Sequence, residues 1–460
     1  MWRPRRSRAH RGCCLAAALL LGAAPARANG RFPAAQQVVF GAGAHRARIT
    51  FRVTFGLLVS SDDGASFRWL CEEALFTPEA PGPAVDPAVE IDDRGRTLFG
   101  YGGGLRWWSP DACGVNVLAD LAAREVVDLA ITPDRHTVYG LETTPGTRQW
   151  VLRGTSDDLA LRRQGEGLPG VRLSTVEVSP ADPARVWVAG FEDATRIPRV
   201  FRSDDGGATL RPLALDGALG DEAFIAGAHP TERDTFWVRA NVGLGSELLR
   251  VRGEAAARVA RSEDAMLGFA RSDDGRRVWY GSVAGGLWRS DDGGDRFTRV
   301  NPLAVYCLVP RGDELWACGD WLRGPFALGR SRDGGETFEA VLRFDDIAGP
   351  VACAGEGSAG CEPRWPMLRD NVLTPTRRDA GVRDAAPDAS ARDAGFDAGA
   401  RDASTRDAGT APPPRTGCGC AVPAKAPRSG WAVVLAWLHL RRICNWRRRE
   451  KSSRGWQVGR

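Results

Sequence analysis

The chain has 460 residues, of which 62 are basic and 57 acidic, with 43% hydrophobic residues, 55 glycines and 11 cysteines. Its formal charge of +5 comes from the ends: residues 1–28 carry 6 basic and no acidic groups, residues 418–460 carry 10 basic and 1 acidic, and the body between them stands at −10. Nucleic-acid binding needs a concentrated basic face, so no nucleic-acid partner is expected.

Arg3, Arg5, Arg6, Arg8 and Arg11 precede an apolar run from Cys13 to Ala24, and Ala26-Arg27-Ala28 follows it. This order predicts a secretory signal peptide over 1–28, cut by signal peptidase after Ala28; the run is too short to span a membrane.

The body repeats one turn four times, as Ser-x-Asp-x-Gly-x-x-(aromatic or Leu). Its defined positions are Ser60, Asp62, Gly64 and Phe67; Ser203, Asp205, Gly207 and Leu210; Ser290, Asp292, Gly294 and Phe297; and Ser331, Asp333, Gly335 and Phe338. The Asp carboxylate can accept N–H groups of its own loop, and the Gly permits φ > 0. The closing side chain tucks under the turn as the next strand starts. One tight turn cannot supply an all-oxygen cation cage, so the expected role is structural.

These residues resemble the Asp-box, or BNR repeat, of sialidase-like β-propellers over roughly residues 36–345, and Ser331 to Phe338 fits that pattern at every defined position. The resemblance implies that each box joins the third and fourth strands of a blade, away from the ligand face.

A second pattern runs in register: an aliphatic–aromatic pair, usually followed by a small residue, placing Phe99, Tyr139, Trp187, Trp237, Trp279 and Trp316 at spacings of 40, 48, 50, 42 and 37 residues, with Phe51 fitting one step earlier. That is the period of a four-stranded blade. Most pairs follow a short apolar run and a polar turn, which reads as innermost strand, turn, second strand. Ser109-Pro-Asp111 and Ser156-Asp-Asp158 are decayed boxes, and the motif is lost near Arg250 to Glu254. The expected fold is therefore all-β, a seven-bladed propeller over 29–345 with blades near 36–80, 82–122, 125–168, 171–216, 220–260, 264–301 and 304–345.

On the face opposite the boxes, the loops offer Glu142, Glu192, Asp193, Arg196, Asp320, Trp321 and Arg323 as candidate ligand contacts. A sialidase is not expected. The Phe-Arg-Ile-Pro signature is absent, and Tyr101, Tyr139, Tyr280 and Tyr306 lie in or beside strands, where none is placed as a nucleophile. No catalytic residue is singled out. The favoured reading is a non-enzymatic ring binding a glycan, peptide or envelope protein; the alternative is a glycoside hydrolase using two carboxylates on the ligand face. No metal or other cofactor is expected, because His45, His136 and His229 lack ligand spacing and no phosphate-cradling loop is present.

Six cysteines remain in the exported body, and an even number there suggests disulfides. Cys307 and Cys318 flank the turn at Arg311-Gly-Asp313, Cys353 and Cys361 close a small Gly-rich loop, and Cys71 is left to Cys113. Residues 346–376 are thus expected to be a disulfide-containing extension of the propeller. Five Arg-Asp-Ala repeats and Pro412-Pro-Pro414 predict a disordered linker over 377–417.

Gly417-Cys418-Gly-Cys420, the apolar run Trp431 to Leu440 and the basic cluster Arg447-Arg-Arg449 follow in that order. They resemble the myxobacterial C-terminal sorting signal (MYXO-CTERM) over 418–460. The resemblance implies a short hydrophobic helix, cleavage near Cys418 and Cys420 by a sorting protease, and membrane association through the tail. It also implies display at the cell surface or outer membrane of a Gram-negative bacterium, or release from it. The apolar run is 10 residues long, about half of a spanning helix.

Overall fold

The computed structural model describes residues 32–75, 87–101, 103–111, 114–122, 124–144, 146, 148–215, 217–352 and 361–373. The signal peptide expected over 1–28, the linker expected over 377–417 and the sorting signal expected over 418–460 lie outside the described residues. Among those described, no helix is long and apolar enough to cross a membrane.

Seven four-stranded antiparallel sheets form, each from four consecutive strands laid down in order. The chain is an all-β, seven-bladed β-propeller. The first strands of the blades are Ala35–Phe40, Ala88–Ile91, Val126–Ile131, Val171–Ser179, Glu222–Ala228, Met266–Arg271 and Val305–Arg311. Each touches the next around the ring, and together they enclose a central cavity of about 660 Å³.

The second strands carry the core. Phe51, Phe99, Tyr139, Trp187, Trp237, Trp279 and Trp316 are all buried. A blade in a ring has both faces covered, so its second strand is apolar along its length rather than alternating; Thr137–Glu142 is buried at every position but the first. Several of the rings bridge blades: Trp187 stacks on Phe236 at 4.8 Å, and Trp237 meets Phe269 at 5.4 Å.

Six of the seven first strands carry an extra residue opposite the second strand: Gln36, Val127, Ser174, Ala226, Leu267 and Tyr306. Such a bulge re-aims the side chains that follow it. The consequence appears in the channel, where residues just past the bulge reach the neighbouring blade. Asp128 Oδ2 accepts the Val176 N–H at 2.8 Å, and Thr175 Oγ1 accepts the Ile225 N–H at 3.0 Å.

No strand crosses between the first and last blades, so other contacts close the ring. Arg311 donates to Arg46 O and to Asp63 Oδ1, both at 2.6 Å, and lies 4.8 Å over Phe40. Phe40 in turn packs edge-on against Trp316 at 5.0 Å. Asp63 takes the left-handed backbone (φ 63°) that Gly206, Gly293 and Gly334 take in the other turns; Asp tolerates that region better than most residues. The Trp321 indole also donates to Pro33 O at 2.9 Å.

From outside, the segment after the last blade returns to the first. Trp69 and Pro350 form a parallel bridge, with Trp69 N–H on Gly349 O at 2.8 Å and Val351 N–H on Trp69 O at 2.9 Å. This return carries Cys361 to Cys71, and the two are disulfide-bonded. The expected pairings, Cys353–Cys361 from its small loop and Cys71–Cys113 by elimination, are thereby overturned, because Cys71 sits at the sheet edge that the returning segment covers. Cys307 and Cys318 are bonded across adjacent strands, as their flanking of a hairpin turn implies. Cys113 and Cys353 lie outside the described residues.

Candidate functional site: the crossing face and the central channel

The four repeated turns share one hydrogen-bond network, with the serine at its hub. Ser203 Oγ donates to Asp205 Oδ1 at 2.7 Å and accepts the Gly207 N–H at 2.8 Å; Asp205 Oδ1 accepts the Thr209 N–H at 2.8 Å. The same three contacts recur from Ser60, Ser290 and Ser331. Burial works against the charge on Asp333, but hydrogen bonds from Thr337 and Ser331 overcome it and hold the carboxyl at about 2. The glycine also seats the turn on the neighbouring blade: a Cβ on Gly207 would lie 2.5 Å from Val151 Cγ1. Sequence reasoning assigned the Asp and the Gly but gave the invariant serine no task. Ser203→Ala removes a donor and an acceptor from a buried turn and is expected to cost about 1–3 kcal/mol in urea unfolding. A loss within about 0.5 kcal/mol of zero would mean that the hydroxyl is dispensable.

The decayed turns have found other partners. Asp111 pairs with Arg48 at 2.8 Å, and Ser156 Oγ meets His136 Nδ1 at 3.1 Å.

On the crossing face, the seven candidate contacts are spread over three blades. Glu142 is buried and bound by Arg163 at 2.5 Å and Arg124 at 3.0 Å. Burial opposes its charge, and the two arginines overcome that and lower its pKa. The Arg163 guanidinium lies 3.8 Å over Trp150. Glu192 accepts from Thr195 at 2.6 Å and Arg199 at 2.9 Å; Asp193 lies 3.6 Å from Arg172. Arg196, in a left-handed conformation (φ 64°), covers Phe191 at 3.4 Å. Asp320 accepts the Leu322 and Arg323 N–H groups, both at 3.0 Å, and Trp321 is buried against Pro33. Thus Glu192, Asp193 and Arg196 share one loop, while Glu142 and residues 320–323 stand apart from it.

The channel holds a second set of charges. Glu90 and Glu177 line the cavity with Arg52, Arg135, Arg239, Arg271 and Arg311, and Asp128 lies beside them. Arg135 pairs with Glu90 at 3.5 Å. Arg239 donates to Met266 O at 2.9 Å and lies 4.4 Å over Phe224; burial brings its pKa down to about 10. These acids escaped the sequence reading because they carry no motif. Their one signal is an acid inside an apolar strand, as in Val126-Val-Asp-Leu129 and Val176-Glu-Val178.

Burial raises Asp128 from 3.8 to about 7, against hydrogen bonds from Val176 and Leu129 N–H. The folded state therefore holds a proton between those values that the unfolded state has lost, and stability falls as pH rises through the window. Asp128→Asn is expected to match the parent near pH 4 and to exceed it by about 1–2 kcal/mol at pH 8. Urea unfolding at both pH values measures this, and a pH-independent difference would refute it. Among the described residues, no group of three or more His, Cys, Asp or Glu is placed to hold a metal ion.

No protein-family model matches the chain, and no curated protein matches it. Solved structures do. An ancestral GH74 enzyme aligns with a TM-score of 0.51 at 11% identity, covering 67% of this chain and 46% of that one. The GH74 xyloglucanase from Xanthomonas campestris aligns at 0.34 and 16% identity, covering 68% of this chain and 58% of that one. YCF48 bound to D1 peptide aligns at 0.35 and 17% identity, covering 47% and 68% respectively. The chain spans about half the length of the ancestral GH74 enzyme, and what the two share is the β-propeller fold.

Proposed function

We propose that this protein is an exported, surface-displayed propeller that binds a glycan, peptide or envelope protein on its crossing face without catalysing a reaction. The observation that carries this reading is the state of the acids on that face. Glu142 and Glu192 are each held by arginine, and Asp320 is occupied by loop N–H groups. A hydrolase needs two carboxylates facing one substrate bond. Residues 1–28 and 418–460 support export and anchoring, and the four repeated turns read as Asp-boxes whose carboxylates stiffen the ring.

The alternative, a glycoside hydrolase, draws support from the channel, where Glu90 and Glu177 line one cavity and burial raises both carboxyls, the direction that suits a general acid. A glycan array combined with a hydrolysis screen on the purified protein separates the two. Saturable binding without turnover is the expected result. Turnover of any glycoside that is lost in Glu177→Gln would replace the binding reading with the hydrolase.

A further inference from the structure

The channel contains two opposite charges that do not meet. Glu177, on the first strand of blade 4, and Arg271, at the end of the first strand of blade 6, line the same cavity. Each feels the other's charge, yet they form no ion pair, and neither side chain has a hydrogen-bond partner among the described residues. The other channel acids are accommodated: Glu90 has Arg135, and Asp128 has the Val176 N–H. Burial lifts Glu177 to about 7, and Arg271 only partly offsets it, as befits two groups kept apart.

Both side chains are half-buried and face the cavity with no protein partner of opposite charge in contact, so a ligand that supplies that charge gains an interaction partly shielded from water. The cavity between them, about 660 Å³, is of a size that holds small ligands. Phe224, Leu267 and Phe269 add apolar wall to the same space.

We infer that the central channel is a binding site for a small zwitterion, an apolar α-amino acid whose ammonium faces Glu177, whose carboxylate faces Arg271 and whose side chain lies on Phe224, Leu267 and Phe269. This site is separate from the macromolecular ligand proposed for the crossing face. An amino acid presents both charges a few bonds apart, which a lone anion or cation does not.

Calorimetric titration of the full exported protein with L-leucine, isoamylamine and 4-methylpentanoate tests it, since the last two each lack one of leucine's charged groups. Leucine is expected to bind at least about tenfold more tightly than either. Glu177→Gln is expected to weaken leucine and isoamylamine about tenfold while leaving 4-methylpentanoate unchanged, a split that general damage to the ring does not produce. Arg271→Lys keeps the charge and is expected to retain leucine binding within about threefold, and Arg271→Gln to lose it about tenfold. No saturable heat with leucine at millimolar concentration overturns the inference. So does equal affinity for leucine and 4-methylpentanoate, which makes the channel a simple anion site.

Discussion

Replacing Cys71 and Cys361 by serine is expected to lower the unfolding free energy by about 5 kcal/mol, whereas replacing Cys307 and Cys318 costs about 3 kcal/mol. The difference follows from the loops that the bonds close. The first pair is 290 residues apart in sequence and the second 11, and the entropy removed from the unfolded chain grows with the logarithm of that separation. The long bond has a second task. It pins the returning segment that pairs with Trp69 and covers the outer edge of blade 1, an edge that would otherwise be open to pairing with another chain. Urea unfolding of the two double-serine variants ranks them; equal losses would show that the unfolded chain is not what the long bond restrains.

Trp316→Ala is expected to cost about 3–5 kcal/mol, and Trp316→Phe less than half of that. The indole is fully buried at the seam between blades 7 and 1. It packs on Phe40, lies under the guanidiniums of Arg311 and Arg330 at 5.9 and 5.6 Å, and donates to Glu314 Oε2 at 3.2 Å. Alanine leaves a cavity where no shared strand holds the two blades together, so little prevents water from entering. The seam's core extends from Phe40 and Trp316 to Cys71, Phe344 and Cys361. Losses in Trp316→Ala and in the Cys71/Cys361 double-serine variant should therefore be less than additive. Unfolding followed by tryptophan fluorescence and by circular dichroism measures this, and strict additivity would mean that the seam's two sides act independently.

The ring itself was legible in the chain because propeller blades repeat. Aromatics from Phe51 to Trp316 recur on second strands that are buried on both faces, so one residue per blade reports its position. The repeated turns were legible for a related reason, since a glycine with positive φ and a capping carboxylate leave a fixed spacing. The partner of Cys71 was not legible. It depends on where the chain arrives after a full circuit, which no local pattern encodes. Nor did the crossing-face acids reveal their state: Glu142 looked like an available carboxylate until Arg124 and Arg163, 18 and 21 positions away, were seen to hold it. The channel charges were hidden by parity. Glu177 alternates with Val176 and Val178, as on any strand with one polar face, and only ring closure turns that face toward a shared axis.

Every sheet is built from consecutive strands, so a protease that nicks the crossing between Arg211–Pro212 and Glu222–Ala228 divides no sheet. The cut would separate four whole blades from three, each half keeping its own complete set of strands. The halves would still be one covalent molecule, because Cys71 lies in the first and Cys361 in the second. A ring of this kind can be clipped at a blade boundary and keep its pieces together until it meets a reductant.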